Sequence, residues 1–210
     1  LGALGADPDD ILLILASDHA IGDDRGFEVS VAAGARLAEA DRLVTFGVKP
    51  DRGATGYGYI QTGAALEGGF EVKRFAEKPV LSDAERYVRE GYLWNSGMFM
   101  FRARTFLAEL ARLNPEIDRA VRNAWKQVQT DLDFLRVPPA AFEASPAISV
   151  DYAVMERTRS AAMVPLETSW SDVGSFDSLW EALSGDAAGN VTRGDVHLID
   201  TTNSLVLSRR

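Results

Sequence analysis

Cysteine is absent from the chain. Disulfide staples, thiolate catalysis and cysteine-ligated zinc are therefore excluded, and a cytoplasmic location fits. Positive charge is scarce. Twenty-two Lys and Arg stand against 31 Asp and Glu, for a net charge of −9, and no Lys/Arg run occurs. That argues against a nucleic-acid surface. An anionic ligand would be repelled at long range, but screening confines this to about 8 Å at physiological salt. Local lysines, backbone N–H groups and a divalent cation would have to do the attracting. No apolar run approaches the roughly 18 residues of a membrane span, so no membrane partner is expected. The opening Leu1-Gly2-Ala3-Leu4-Gly5-Ala6 lacks both a Met and a basic stretch, so it does not read as a signal peptide, and the chain is expected to begin partway through something longer.

What is present is ordinary for a globular domain: 210 residues, 46% hydrophobic and 25% charged. The length suits one core with an appendage. Ile11 to Ala16 is a short apolar run, expected as a strand buried on both faces, with Ser17-Asp18-His19 at its carboxyl end. Ligands of open α/β sheets bind at such ends. Asp24 is placed to cap a helix from Phe27 to Asp41, and Leu43 to Val48 reads as a second strand, expected to pair in parallel with the first. Gly53 to Gly63 reads as a loop entering a strand, and Phe70 to Phe75 alternates as a half-exposed strand. Ser82-Asp83-Ala84-Glu85 has the form of a capping box, and Gly91 that of a helix stop. Leu93 to Arg102 is an apolar strand with Asn95 embedded, followed by two helices divided at Asn114-Pro115. Val137 to Pro146 reads as a loop, Val150 to Arg157 as a short helix, and Ala162 to Leu166 as a strand. Phe176, Leu179, Trp180 and Leu183 mark one face of a last helix. The order is βαβ first and more mixed later, so the sheet is expected to be mixed.

Several short runs carry candidate chemistry. Asp18 suits a Mg²⁺ ligand, since a hard cation takes one or two protein carboxylates and fills the rest with phosphate and water; it equally suits a turn. His19 reads as a packed or solvated side chain. The glycines flanking Tyr57 in Gly56-Tyr57-Gly58-Tyr59 would let backbone approach a sugar, or simply form a tight turn. In Glu77-Lys78-Pro79 the carboxylate could accept sugar hydroxyls and the ammonium could meet a phosphate; a solvated strand end is the plain alternative. Asn95 must have partners, because a buried unpaired amide costs about 1–3 kcal/mol. Asp172 serves either a second metal carboxylate or a turn before the last helix, and Asp151 reads as a helix cap.

Taken together and in order, these runs are more specific than any alone. Phe46-Gly47-Val48-Lys49-Pro50, Thr55-Gly56-Tyr57-Gly58-Tyr59-Ile60, Phe75-Ala76-Glu77-Lys78-Pro79, Trp94-Asn95-Ser96-Gly97-Met98-Phe99, Ser149 to Glu156 and Trp170-Ser171-Asp172-Val173-Gly174-Ser175 closely resemble the bacterial mannose-1-phosphate guanylyltransferases. The resemblance runs from about Ile11 to Leu207. It implies an α/β fold: a Rossmann-like nucleotidyltransferase mixed sheet flanked by helices, truncated at the N-terminus. Residues 1–188 would form a partial nucleotidyltransferase domain and residues 189–210 the start of a β-rich C-terminal appendage. It implies GTP and mannose 1-phosphate as substrates, GDP-mannose and pyrophosphate as products, and Mg²⁺ as cofactor. Asp18 and Asp172 match the family's metal aspartates, which with Lys78 would be its catalytic residues. Glu77 and Asn95 match contacts to sugar hydroxyls, Gly58 with the adjoining Tyr57 a backbone contact to the sugar, and Lys78 a contact to the sugar phosphate. A homodimer is left open.

Two departures qualify the implication. The family's Gly-Gly-x-Gly-x-Arg phosphate loop has no counterpart here, so this chain alone is expected to be inactive. Leu15-Ala16-Ser17-Asp18-His19 replaces the usual Leu-Pro-Ala-Asp-His but keeps the aspartate. The alternatives are a nucleotidyltransferase for another sugar or base, and a non-catalytic sugar-phosphate-binding or regulatory subunit. A metal-dependent glycosyltransferase would want an Asp-x-Asp, which Asp18-His19-Ala20 does not supply.

Overall fold

The computed structural model describes residues 1–183 and 185–208. In chain order the elements begin with α1 (Gly2–Gly5), β1 (Ile11–Ile14), β2 (Ala20–Ile21), α2 (Asp24–Glu39) and β3 (Leu43–Val48). There follow β4 (Tyr59–Leu66), β5 (Gly69–Ala76), α3 (Leu81–Arg89), β6 (Leu93–Arg102), α4 (Ala103–Leu113) and α5 (Pro115–Trp125). The rest are β7 (Gln129–Asp131), β8 (Phe134–Arg136), α6 (Pro139–Glu143), a π-helical turn (Asp151–Met155), β9 (Ala161–Pro165), β10 (Trp170–Ser171), α7 (Phe176–Ala182), β11 (Val191–Arg193) and β12 (Leu205–Leu207). The chain divides into two compact units: residues 1–15 with 25–167, and residues 16–24 with the chain from 168 onward.

The first unit is a six-stranded sheet in the order β1-β6-β3-β9-β5-β4, with β4 also pairing to β6. Only β3 and β9 run parallel; the other pairs are antiparallel, so the sheet is mixed, as expected. Strand β6 is long enough to serve two partners on one edge. Its start meets β4 (Tyr59↔Trp94) and its end meets β1 (Ile11↔Arg102 through Ile14↔Phe99). The expected pairing of β1 with β3 does not form, because β6 lies between them. Nor is β1 buried on both faces: it is an edge strand, and Ile14 is 43% exposed. A short apolar run has the same pattern at an edge as at a centre.

The core gathers Leu43, Ile60, Phe99, Phe101, Val154 and Met163 from strands and the π-helical turn, with Leu110 and Leu113 of α4 laid against them. That turn is fixed from outside by Asn114, whose Nδ2 donates to the Ala153 carbonyl. Pro115 opens α5 at the position where its missing N–H costs nothing. The capping box expected at Ser82 does not form. Helix α3 starts at Leu81 on an extended Val80, and Asp83 pairs with Arg86 at 2.7 Å. Nor does Asp24 stand outside α2 as its cap; it is the first helical residue. Gly91, at φ +79°, ends α3 as expected. The β7–β8 hairpin was not legible: three-residue strands carry too little alternation.

In the second unit β10 pairs antiparallel with β2, and β11 pairs parallel with β12 (Val191↔Leu205). Buried Asn190 is satisfied by the Thr201 carbonyl at 2.9 Å and the Ser204 N–H at 3.2 Å. Ser175 caps α7, accepting from the Ser178 N–H at 3.1 Å. The expected inward face of α7 is not buried, and Phe176 is 76% exposed: it is the first residue of a seven-residue helix. Among the described residues no helix is long and apolar enough to cross a membrane.

Met163 is fully buried at the centre of the sheet. Met163→Ala is expected to lower unfolding free energy by about 2–5 kcal/mol in urea titration. Leu132, exposed at the hairpin turn with φ +51°, is the opposite case. Leu132→Gly is expected to leave stability unchanged or raise it by up to about 1 kcal/mol, since it removes left-handed strain.

Candidate active site

In the first unit the candidate residues gather where β4 begins, β5 ends and β6 bulges. Between Thr45↔Phe99 and Gly47↔Asn95 the register shifts, so β6 carries extra residues against β3. Gly97, at φ +73°, makes the bulge possible. The bulge turns the Asn95 side chain into a bonded position. Its Oδ1 accepts from the Thr45 hydroxyl at 2.6 Å and from the Gly97 N–H at 3.2 Å. Its Nδ2 donates to Asp151 Oδ1 at 3.1 Å. Its backbone N–H donates to the Gly58 carbonyl at 2.8 Å, which fixes the glycine-rich loop against β6.

Glu77 follows β5. Its N–H donates to Glu156 Oε1 at 2.9 Å. Its side chain is 10% exposed, and Oε1 lies 3.9 Å from Lys78 Nζ. Oε2 is buried with no hydrogen-bond partner among the described residues. Gly58 makes room for that oxygen: a Cβ there would overlap Glu77 Oε2 and stand 3.2 Å from Asn95 Cβ. Burial pushes the Glu77 carboxyl from its ordinary 4.5 up to about 7; the charges of Asp151 and Glu156 add to this, and Lys78 opposes it. Burial also raises Asp151, against hydrogen bonds from its own backbone, Ser149 and Asn95 and the charge of Lys78.

Lys78 is held at φ +44°, with its N–H donating to the Tyr57 carbonyl at 3.2 Å. A non-glycine residue in that region is strained. The Tyr57 ring packs on Trp94 with centroids 4.9 Å apart. Tyr57, Gly58, Glu77, Lys78 and Asn95 are thus brought together. Sequence reasoning missed Thr45 and Glu156 and took Asp151 for a helix cap. Val150 takes the cap position instead, and Asp151, the first residue of the π-helical turn, faces Asn95. A Ser-x-Asp before an apolar turn has the same signature in either role, so sequence alone could not separate them.

The second unit carries the two candidate metal aspartates. The β2–β10 ladder pairs Ala20 with Ser171, which leaves Asp18 and Asp172 just beyond its end. His19 Nδ1 accepts from Trp170 Nε1 at 3.2 Å, so the histidine is engaged by packing. Val173 is β-branched yet sits at φ +50°, and its N–H donates to Ser171 Oγ at 3.1 Å. Asp172 Oδ1 accepts from the Gly174 N–H at 3.4 Å. No cluster of three or more His, Asp or Glu that could hold a metal occurs among the described residues. Two carboxylates with the remaining positions left to phosphate and water fit Mg²⁺, which seldom takes an all-protein cage.

A carboxyl whose pKa is raised on folding contributes stability below its unfolded pKa and loses it as pH rises through the folded one. For Glu77 the window runs from 4.5 to about 7. Glu77→Gln is expected to gain on the native chain by up to about 3 kcal/mol between pH 4.5 and pH 8 in urea unfolding. An equal difference at both pH values would contradict the burial argument.

Known proteins resemble this chain over most of its length. The nucleotidyl transferase family model matches residues 2–189. Mannose-1-phosphate guanylyltransferase of Escherichia coli K12 is 50% identical over 204 residues, covering 94% of this chain and 43% of its own. Xanthan biosynthesis protein XanB of Xanthomonas campestris pv. campestris strain B100 is 46% identical over 207 residues, 98% of this chain and 44% of its own. The chain thus spans less than half the length of these relatives. Among solved structures, one from Thermus thermophilus, described as a mannose-1-phosphate geranyltransferase, superposes with a TM-score of 0.80 at 32% identity, covering 94% of this chain and 57% of that one. A mannose-6-phosphate isomerase from Helicobacter pylori gives 0.76 at 34% identity, covering 81% and 68%. With a mixed sheet of this kind and a family-model match over residues 2–189, the chain belongs to the nucleotidyl transferase family.

Proposed function

We propose that this chain binds mannose 1-phosphate and contributes the sugar and metal part of a guanylyltransferase, which makes GDP-mannose and pyrophosphate from GTP, and that the chain alone does not complete the transfer. One observation carries the sugar assignment: a buried Glu77 oxygen with no protein partner, in space that a glycine keeps open. Such an oxygen is costly unless a ligand donates to it. A hexose hydroxyl does so. Asn95 and the loop at Tyr57 and Gly58 meet the same sugar, and the Lys78 ammonium meets its phosphate as a point charge.

In the reaction a phosphate oxygen of mannose 1-phosphate attacks the α-phosphorus of GTP. A new P–O bond forms as the bond to the bridging oxygen breaks, and pyrophosphate leaves in line. Positioning and charge neutralisation supply most of the rate in phosphoryl transfer. Asp18 and Asp172 would hold Mg²⁺, which when bound would neutralise phosphate charge. The strained Val173 and the Asx-type turn at Asp172 keep that carboxylate from wandering. Lys78 offsets the charge of the sugar phosphate, and Glu77 and Asn95 hold the hexose at a fixed angle. A cytoplasmic location and a separate β-rich segment over 189–210 accompany this proposal.

Asp172→Asn and Asp18→Asn are each expected to weaken Mn²⁺ binding at least about tenfold, read as free Mn²⁺ by electron paramagnetic resonance. Mannose 1-phosphate binding in the absence of metal, by calorimetry, is expected to be lost in Glu77→Ala and kept in Asp172→Asn. Unchanged Mn²⁺ affinity in both aspartate variants would remove the metal assignment; sugar-phosphate binding that survives Glu77→Ala would remove the sugar assignment.

A further inference from the structure

We infer that Asp151 and Thr45 are positioning residues that lock the Asn95 amide in one orientation, so that the hexose meets an N–H donor beside the Glu77 acceptor. This rests on the sugar assignment above. The geometry behind it does not. An amide can present its two ends either way round, and its neighbours decide which. A carboxylate only accepts when ionised, so Asp151 Oδ1, at 3.1 Å, selects the Nδ2 end. The Thr45 hydroxyl, fully buried, has one hydrogen and two acceptors in reach, Asn95 Oδ1 at 2.6 Å and the Met98 carbonyl at 3.3 Å; the shorter contact takes it, and the Gly97 N–H, which can only donate, fixes Oδ1 from the other side. A flipped amide would set oxygen against carboxylate and NH₂ against an N–H donor. Both Oδ1 bonds are therefore internal. The second Nδ2 hydrogen, without a partner among the described residues, is what remains for a ligand.

The consequence is a rule for what fits. Glu77 Oε2 and the Asn95 Cβ both approach Gly58, so an unpartnered acceptor and the base of the amide side chain meet at one glycine. A hydroxyl satisfies either, by donating to the carboxylate or by accepting from the amide. A fluorine accepts weakly and donates nothing. Deoxyfluoro sugar phosphates should therefore lose affinity most at the hydroxyl that faces Glu77. Asp151 is half-buried beside Glu77, Lys78 and Asn95, which limits competition from water for its bond to Nδ2.

The test pairs two near-isosteric changes with two readouts. Asp151→Asn keeps the shape but supplies an NH₂ that tolerates either orientation of Asn95. Thr45→Val removes the hydroxyl, and Thr45→Ser restores it. In ¹⁵N–¹H spectra of the 210-residue chain, the Asn95 side-chain NH₂ pair is expected to shift in Asp151→Asn. Mannose 1-phosphate affinity by calorimetry at pH 8 is expected to fall about tenfold in Asp151→Asn and in Thr45→Val. It should recover in Thr45→Ser, with melting temperatures within a few degrees of the native chain throughout. Should Asp151→Asn not fold, the Thr45 pair carries the test. Native-like affinity in both Asp151→Asn and Thr45→Val, or recovery no better in Thr45→Ser than in Thr45→Val, overturns the inference. A native chain with no affinity for mannose 1-phosphate sinks the sugar assignment instead, and the NH₂ resonances then still decide whether Asp151 and Thr45 set the amide.

Discussion

The hydrogen bond from the Asn95 N–H to the Gly58 carbonyl, 2.8 Å long, ties the entry of β4 to the first part of β6, just before its bulge. Loop, strand end and bulge meet there. Tyr59 pairs with Trp94 just before the bulge and with Ala76 just before Glu77, so the ladder passes Gly58, Asn95 and Glu77 to one place. The site is therefore built from two strand-end loops pinned to one strand of the sheet. The strand lends the two loops a fixed reference, since groups tied to regular elements are held more precisely than free loops.

How much of this was legible depends on what each residue's pattern can encode. The span of β6 and the break between α4 and α5 could be read because a long apolar run and Asn114-Pro115 leave little choice. The mixed sheet followed from element order. The partner of β1 did not, because four apolar residues do not say which strand they meet. At the site, Glu77, Lys78 and Asn95 stood out as polar groups in or beside apolar strands. Thr45 did not: a threonine in a strand is unremarkable until the bulge opposite turns an amide toward it. The bulge itself had a signal, since Asn-Ser-Gly inside an apolar run marks a break in strand pairing. Asp151 was read as a cap because its neighbours suit one. The five-residue π turn that redirects it is set by tertiary contacts, among them the bond from Asn114 to Ala153.

Both candidate regions hold backbone in the left-handed range at a residue that disfavours it: Lys78 at φ +44° and Val173 at φ +50°. Each adjoins a carboxylate to which a role has been given. Each is also restrained by a local bond, from the Lys78 N–H to the Tyr57 carbonyl and from the Val173 N–H to Ser171 Oγ. Strain of this kind persists only where the surroundings over-determine it. A glycine at either position would relieve it, but would also free the neighbouring carboxylate to sample other directions.

The same tension governs Glu77. A carboxyl raised to about 7 by burial is a destabilising group in the empty protein at pH 8, and the protein tolerates it because the rest of the sheet is well packed. A ligand hydroxyl donating to Oε2 removes part of that penalty by supplying the missing partner. Binding and folding are then coupled through one atom, and a ligand that binds only the folded state stabilises it. An apolar residue at position 77 would make the empty sheet more stable and would leave no acceptor there. Keeping a carboxyl here at that cost is the ground for proposing Glu77 as a ligand contact rather than a packing residue.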